Sequence, residues 1–310
     1  MIANSAHIPA YRQFSDDFEI VAVSDINPAA VQDTAKRHGI DRFYTDASEM
    51  LEKEKPDVVS VCVPNCFHKE YTLMACQSMR FTPDRLAAKK FIDDGNMDKI
   101  YYGELARVRR RGIPTWGTFH IKKISCGGAF VDIGVHMLDA LVWLMGNPKI
   151  SSVHGVTMQN HKTEIGSLTQ SGALTGEVHN QRKFDPNEMD VEDFSCGMLN
   201  FENGARVNFK VAWATNMPEA SDIRLVSRKA GVDLPSGIIY SGEDKQDTLK
   251  IEKCPYDTPF FGHMYLADNL RKVLKGEAEP IVTEAETKNV AAILELFYKS
   301  AESGREEYIK

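Results

Sequence analysis

Two side chains with the types and spacing of an acid–base pair are Asp132 and His136. They lie in the glycine-rich stretch 126–136, which leads into an apolar run typical of a helix. A separation of four residues places both on one side of an α-helix, one turn apart. A carboxylate beside an imidazole can orient the ring and raise its basicity near neutral pH. The pair predicts a general base, although a capping aspartate with a structural histidine would give the same pattern.

Asp25 is a second candidate for chemistry. It ends the short apolar stretch 19–25, and residues 28–38 then show helical spacing before Gly39. In a dinucleotide-binding β–α unit, an acid at this point accepts hydrogen bonds from ribose hydroxyls. An acid after a strand also caps helices, so Asp25 alone leaves both roles open.

Cysteine and histidine spacing does not predict a metal site. The six cysteines form no Cys-x-x-Cys pair and are too sparse for a disulfide scaffold. Cys62, Cys66 and His68 are close in sequence, but no second cysteine pair completes the four ligands that structural zinc prefers. Asp132 and His136 lack an evident third ligand. We therefore expect reduced thiols and no bound metal.

The elements that position these residues change in character along the chain. Up to residue 63, strand-like and helical stretches alternate and end in the apolar run 58–63, as in a parallel sheet with helical crossovers. From residue 100 the alternation is that of an antiparallel sheet, with a tight hairpin at Asn203-Gly204. The predicted strands there are residues 100–111, 151–158, 193–201, 205–213 and 222–227.

Three helices are predicted to cover one face of this second sheet. They span about residues 131–145, 262–274 and 283–303, and the last has a Thr283/Glu286 capping box and ends at Gly304. Residues 161–188 are polar and read as a long loop or lid.

Composition and charge exclude several classes of protein. A net charge of −7 and a pI of about 5.8 oppose a nucleic-acid binder. The basic run 107–111 falls in a predicted strand, so its side chains alternate between faces and do not form one patch; a minor alternative is that one arginine meets an anionic substrate. Uninterrupted apolar runs are shorter than a membrane span, and residues 1–14 do not resemble a secretory signal. We expect a cytoplasmic protein.

Four stretches, residues 1–11, 21–25, 61–68 and 127–144, resemble the glucose-fructose oxidoreductase and inositol dehydrogenase family (Gfo/Idh/MocA). The resemblance implies an α/β then α+β fold. A Rossmann-like NAD(P)-binding domain with a parallel sheet would span residues 1–77. A mainly antiparallel open-faced sheet domain, covered by helices on one face, would span residues 78–310 and hold the substrate against the nicotinamide.

The same resemblance implies roles for individual residues. His136 would remove the proton of a substrate hydroxyl, and Asp132 would position His136 or bind a neighbouring hydroxyl. The residues assigned to the cofactor are Ala3, Asp25, Pro64, Asn65 and His68, and those assigned to the substrate are Arg80 and Trp116.

Two departures from the family pattern concern the cofactor half. The family's first strand and Gly-x-Gly turn have no counterpart before Ile2, although those glycines bring the backbone to the pyrophosphate. The segment with the family's Glu-Lys-Pro motif and catalytic lysine is missing near residues 76–77. Glu54-Lys55-Pro56 aligns with a different place, so Lys55 is not assigned that role. The Rossmann-like domain is expected to be incomplete.

Two functions follow from these features. The favoured one is an NAD(P)-dependent oxidoreductase, with NAD preferred, acting on a secondary alcohol of a sugar, cyclitol or derivative. The alternative is a non-enzymatic sugar-binding or scaffold relative that has lost dinucleotide binding. In both cases we expect a homodimer or homotetramer formed through the open sheet face, with no nucleic acid or membrane partner. Phe209 and Trp213 are candidates for that interface, although their spacing fits an interior position equally well.

Overall fold

The computed structural model describes residues 2–63, 76–161, 184–242 and 245–309. In the first half, one small parallel sheet is surrounded by helices. Its elements are a π-helical turn (Ala3–His7) leading into α1 (Ile8–Arg12), then β1 (Val23–Ser24), α2 (Pro28–His38), β2 (Phe43–Tyr44) and α3 (Ala47–Glu54). β1 and β2 pair in parallel. α2 starts at the Asn27 cap with Pro28 in its first turn, and it ends at Gly39, whose φ is 57°.

The apolar run 58–63 does not form the buried strand that its composition predicts. Val59 and Val63 are 47% and 38% exposed, and no strand is assigned to residues 57–63. A strand buried on both faces needs neighbours in a sheet and helices over it. Within the described residues, the parallel sheet contains only β1 and β2, so this run has no place to pair.

The second half is built on a large sheet with helices on one face. Its strands are β3 (Tyr102–Val108), β4 (Ile150–Met158), β5 (Phe194–Phe201), β6 (Arg206–Ala212), β7 (Ala220–Val226), β8 (Ala230–Asp233), β9 (Ile238–Ser241), β10 (Lys245–Thr248) and β11 (Glu307–Tyr308). Its helices are α4 (Pro83–Phe91), α5 (Lys122–Ser125), α6 (Val135–Leu144), α7 (Phe261–Leu274) and α8 (Glu284–Ser303). Single helical turns lie at Ser78–Phe81, Ile92–Asn96, Phe130–Gly134 and Pro186–Glu188.

The order of strands confirms a mainly antiparallel sheet. It runs β10-β9-β8-β7-β3-β6-β5-β4-β11, and only the central β3–β6 pair among these is parallel. The five predicted strands are all present, and the Asn203-Gly204 turn joins β5 to β6. The capping box of Thr283 and Glu286 is also confirmed. The strands β8, β9, β10 and β11 were not predicted, and residues 162–183 of the predicted loop lie outside the described residues.

The core lies between the sheet and the helices α6 and α8. Phe130 stacks on Phe209 with ring centroids 4.8 Å apart, and Phe297 meets both rings. Phe209 and Trp213 are 2% and 0% exposed. These two side chains therefore belong to the interior and not to a subunit interface.

The opposite face of the sheet is open. Val156 and Met158 on β4 and Met198 on β5 point to that face and are 38%, 41% and 39% exposed. Their positions follow from the β4–β5 register, in which His154 faces Met198. The open face thus carries apolar side chains among polar ones, and the sheet is open-faced as the family resemblance implies.

The helical stretch Lys122–Leu144 is long and apolar enough to cross a membrane by length and composition alone. Uninterrupted apolar runs in the sequence did not reveal it, because polar residues interrupt it. In the structure 72% of its most apolar window is buried inside the protein, where α6 packs on the sheet. Burial on the sheet accounts for its apolar character.

Candidate active site

The residues Asp132 and His136 lie where a π-helical turn becomes an α-helix. Phe130–Gly134 forms the π turn and α6 follows at Val135. Such turns inside helices are frequent at functional sites, because the widened ladder redirects side chains. The predicted helix is therefore confirmed, but the four-residue spacing does not span a regular α-helical turn.

Glu192 fixes the start of this helix. Its carboxylate accepts hydrogen bonds from the Gly128 N–H at 2.9 Å, the Phe130 N–H at 3.1 Å and the Tyr298 hydroxyl at 2.9 Å. A Cβ at Gly128 would lie 1.9 Å from the Glu192 carbonyl oxygen, so only glycine allows this approach. Burial raises the pKa of Glu192, and these donors oppose the rise. No sequence pattern indicates Glu192, because Gly128 and Phe130 lie more than 60 residues earlier and Tyr298 lies 106 residues later.

Asp132 is held by Trp213. The Trp213 indole N–H donates to Asp132 Oδ2 at 2.7 Å, while Oδ1 makes no hydrogen bond within the described residues. Burial raises the pKa of Asp132. The hydrogen bond from Trp213 and the positive charges of Arg109 and Arg107 oppose this rise. No hydrogen bond joins Asp132 to His136 in the described part of the chain. The structure thus leaves Oδ1 for a ligand rather than for orienting the imidazole.

The side chain of His136 is accessible to solvent but is also closely surrounded by protein atoms. Its side chain is exposed, as a base that meets a substrate must be. Protein atoms around it nevertheless displace much of its hydration, and this loss of hydration together with the charges of Arg107, Arg109 and Arg85 lowers the pKa of His136 to about 4. The imidazole is therefore unprotonated at neutral pH and can accept a proton.

Asp25 lies at the end of β1 and is exposed. Its Oδ1 accepts the Asn27 N–H at 2.9 Å, and Asn27, not Asp25, caps α2. The second carboxylate oxygen has no partner in the described residues, which fits a ribose hydroxyl as ligand. Ala3 lies half-buried in the first helical turn. Pro64, Asn65 and His68 lie outside the described residues.

Three further side chains lie close together near His136. His7, Cys76 and His263 place their nitrogen and sulfur atoms within 4.8 Å of one another, and the ring centroids of His7 and His263 are 5.1 Å apart. Burial, His7 and His136 lower the pKa of His263 to about 4. The first helix and α7 thus meet beside the base. Three donors are fewer than the four of a closed zinc site, and the absence of a metal stays a prediction.

The cysteines differ from expectation at one position. Cys62, Cys76, Cys196 and Cys254 are free thiols, but Cys126 is disulfide-bonded. The expectation of reduced thiols is therefore wrong for Cys126, which directly precedes the glycines that start the helix of the candidate site.

The two residues assigned to the substrate have different surroundings. Arg80 is 1% exposed, and its guanidinium binds both carboxylate oxygens of Asp139 at 2.6 Å and Glu286 at 2.9 Å. These partners occupy it fully, so the structure corrects the substrate assignment of Arg80 to a structural one. Trp116 is half-buried in the loop after β3, with Phe119 at 6.3 Å edge to face; its substrate contact stays a prediction.

Residues 1–80 match the oxidoreductase family with an NAD-binding Rossmann fold, and residues 86–232 match the GFO/IDH/MocA C-terminal domain. The chain belongs to the Gfo/Idh/MocA oxidoreductase family. It is 29% identical over 342 positions to the D-glucoside 3-dehydrogenase of Escherichia coli (strain K12), with 98% of this chain and 93% of the relative covered.

Solved structures share the fold of this Gfo/Idh/MocA protein. An oxidoreductase domain protein from Kribbella flavida has a TM-score of 0.78 at 18% identity, with 100% of this chain and 97% of that one covered. Levoglucosan dehydrogenase in complex with NADH and levoglucosan has a TM-score of 0.79 at 16% identity and the same coverage. The family matches and the curated relative confirm the family resemblance and an NAD-dependent oxidoreductase, and the solved structures confirm the two-part fold.

Proposed function

We propose that this Gfo/Idh/MocA protein transfers hydride between NAD and a secondary alcohol of a sugar, a cyclitol or a derivative. The observation that carries the proposal is the solvent-exposed, unprotonated His136 beside a carboxylate with one oxygen left for a ligand. Similarity to a D-glucoside 3-dehydrogenase supports a sugar substrate. The test is formation of NADH from NAD and methyl β-D-glucopyranoside, chosen because the relative acts on glucosides by name.

Four residues have separate roles in the proposed oxidation of the alcohol. His136 takes the proton of the hydroxyl that is oxidised, because its ring is neutral and accessible. Asp132 Oδ1 accepts a hydrogen bond from a neighbouring hydroxyl, while Trp213 keeps the carboxylate in place through Oδ2. Bound NAD supplies the hydride acceptor. Glu192 acts as a positioning residue, because it fixes the first turn of the helix that carries both groups.

The proposed function divides the chain into a part that binds the cofactor and a part that binds the substrate. We assign residues 1–77 to the cofactor and residues 78–310 to the substrate and to oligomerisation. The alignment with the D-glucoside 3-dehydrogenase spans 342 positions against 310 residues in this chain, so that relative has residues without counterparts here. This agrees with the expected absence of the Glu-Lys-Pro segment and with the two-stranded parallel sheet.

Asp25 should set the preference for NAD over NADP. Its exposed carboxylate would repel the 2′-phosphate of NADP and bind the ribose hydroxyls of NAD. We expect wild type to bind NAD more tightly than NADP, and Asp25→Ala to narrow the difference, in calorimetric titrations of both nucleotides. Asp33→Ala, which changes an acid within α2, is the matched control. Equal affinities in wild type would refute the assignment.

We propose that the open face of the sheet joins two or more copies of the chain. Val156, Met158 and Met198 are apolar and exposed there, and such a face needs either solvation or a partner. Met198→Glu should place charges in that interface and shift the protein towards the monomer in light scattering at micromolar concentration. Met217→Glu, on a loop and 37% exposed, is the control. A monomeric wild type would contradict the proposal.

A further inference from the structure

Three arginines lie beside His136, although the alternation of side chains along the basic run 107–111 predicts no single patch. β3 ends at Val108, and Arg107 pairs with Val211 of β6. The Arg109 N–H continues the ladder by donating to the Ala212 carbonyl. Since residues two apart on a strand share a face, Arg107 and Arg109 lie on the same face as Val211.

That face is the one under the helix with Asp132 and His136. A Cβ at Gly134 would lie 3.0 Å from Val211 Cγ2, so the π turn packs directly on this part of β6. Trp213, two residues further on, reaches Asp132. Arg107 and Arg109 are each half-buried, and the charges of both act on Asp132 and His136.

Arg85 of α4 completes the group. It is 3% exposed, and its Nη1 donates to the Met79 carbonyl at 2.6 Å while Nη2 contacts Met137 Sδ at 3.0 Å. Its Nε is buried without a hydrogen-bond partner. Met137 directly follows His136, so Arg85 reaches the base from the side of α4.

Among the described residues, no carboxylate forms an ion pair with any of these three arginines or accepts a side-chain hydrogen bond from them. Asp132 accepts its hydrogen bond from Trp213, and the exposed Glu219 accepts one from the Arg110 backbone N–H at 3.3 Å; both acids act on Arg107 through their charge without a hydrogen bond to it. Burial and the neighbouring arginines lower the pKa of Arg107 to about 10. Arg80, by contrast, has two carboxylate partners. Positive charges that are partly or fully removed from water without an ion-pair partner are costly, so a ligand with negative charge would stabilise this group.

We propose that Arg107 and Arg109, supported by Arg85, bind an anionic group of the sugar substrate, a carboxylate or a phosphate ester, next to the hydroxyl that His136 deprotonates. The inference rests on the proposed function and narrows its substrate class to acidic sugars. Guanidinium groups match oxyanions through paired N–H donors, and two of them converging on one group give both affinity and orientation. An anion bound there also offsets the positive charge that surrounds the base.

Binding of three sugars and NAD to the purified full chain tests the proposal. The probes are methyl β-D-glucuronide, glucose 6-phosphate and the neutral methyl β-D-glucopyranoside, each titrated by calorimetry into wild type, Arg107→Met and Arg109→Met. At least one anionic sugar should bind wild type more tightly than the neutral glucoside. Each substitution should weaken that binding by about 10- to 100-fold and leave the neutral glucoside unchanged.

Arg110→Met is the matched control, because Arg110 is the exposed arginine between the two, and it should leave all titrations unchanged. Inorganic phosphate should compete with the anionic sugar in wild type, which tests the site without any substitution. Carboxylate and phosphate are distinguished by which of the two anionic sugars binds more tightly.

The outcomes separate this inference from the proposed function. If NADH forms from the neutral glucoside and neither anionic sugar depends on Arg107 or Arg109, the inference fails while the proposed function stands. If no sugar reduces NAD but anionic sugars still bind through both arginines, the proposed function fails instead. Weaker NAD binding in Arg107→Met with unchanged sugar binding would assign the site to the cofactor's pyrophosphate and overturn the inference.

Discussion

His136→Ala should lower the turnover of alcohol oxidation by about 10²- to 10⁴-fold, the range that removal of a general base ordinarily produces. The affinity for NAD should stay nearly unchanged, because the imidazole acts on the proton of the substrate. Steady-state rates and the melting temperature need to be measured together. Only a folded variant that binds NAD and is inactive identifies His136 as the base.

Two controls sharpen this result. His154→Ala changes an exposed histidine on the open face of the sheet and should retain full activity. Asp132→Asn should reduce the rate as well, since Asp132 is proposed to bind a neighbouring hydroxyl. If His136→Ala is fully active, the assignment is wrong. If both His136→Ala and Asp132→Asn fail to fold, the pair has a structural role.

The pH dependence follows from the same residue. A base whose pKa lies below its ordinary value of about 6.5 loses its proton at lower pH, so kcat/KM should stay high as the pH falls through 6.5. The decline should come only as the pH approaches the pKa of about 4. In His136→Ala this acidic limb should disappear. A wild-type limb at or above pH 6.5 would contradict the environment that the structure gives His136.

Arg80→Met should destabilise the protein by about 3 to 5 kcal/mol, because it leaves Asp139 charged and buried without its partner. Arg80 and Asp139 are each 1% exposed. Urea denaturation followed by circular dichroism measures the change. Lys90→Met removes a surface pair with Asp94, in which both side chains are more than half exposed, and should change stability by less than about 1 kcal/mol.

A double variant separates the ion pair from the packing around it. Arg80→Met with Asp139→Leu removes both charges, and it should recover much of the stability that the single variant loses. A single variant as stable as wild type but with weaker sugar binding would restore the original assignment of Arg80 to the substrate.

Local patterns predicted the second half of the fold well. The strands from residue 100 onward alternate apolar and polar residues, and the Asn203-Gly204 turn and the Thr283/Glu286 capping box depend on neighbours in sequence. β10, with the sequence Lys-Gln-Asp-Thr and every residue exposed, has no apolar face to reveal it. The run 58–63 was predicted as a strand that the structure does not contain. Its composition is that of a buried strand, but its burial depends on neighbouring strands that the described residues do not supply.

The candidate site divides in the same way. Asp132 and His136 could be found because they share one glycine-rich motif. Glu192 was not found, and Trp213 and Arg107 were not placed at this site, because their contacts depend on how β3, β5 and β6 bring distant segments under the helix. Arg80 was misassigned for a related reason, since its partners Asp139 and Glu286 lie 59 and 206 residues away. Alternation along the basic run 107–111 predicted no patch, with an arginine that meets an anionic substrate as the minor alternative, whereas its first and third members share the face under His136.

The most direct test of an NAD-dependent oxidoreductase acting on a sugar alcohol is the fate of the carbon-bound hydrogen. The full chain is incubated with NAD and methyl glycosides and glycuronides deuterated on the ring carbons, and the nucleotide is analysed by mass spectrometry. We expect NADH that carries one deuterium, formed together with a ketone on the sugar, and a loss of this product in His136→Ala. A folded protein that yields no NADH from any of these sugars, or NADH without deuterium, would contradict hydride transfer and favour a sugar-binding relative without dehydrogenase activity.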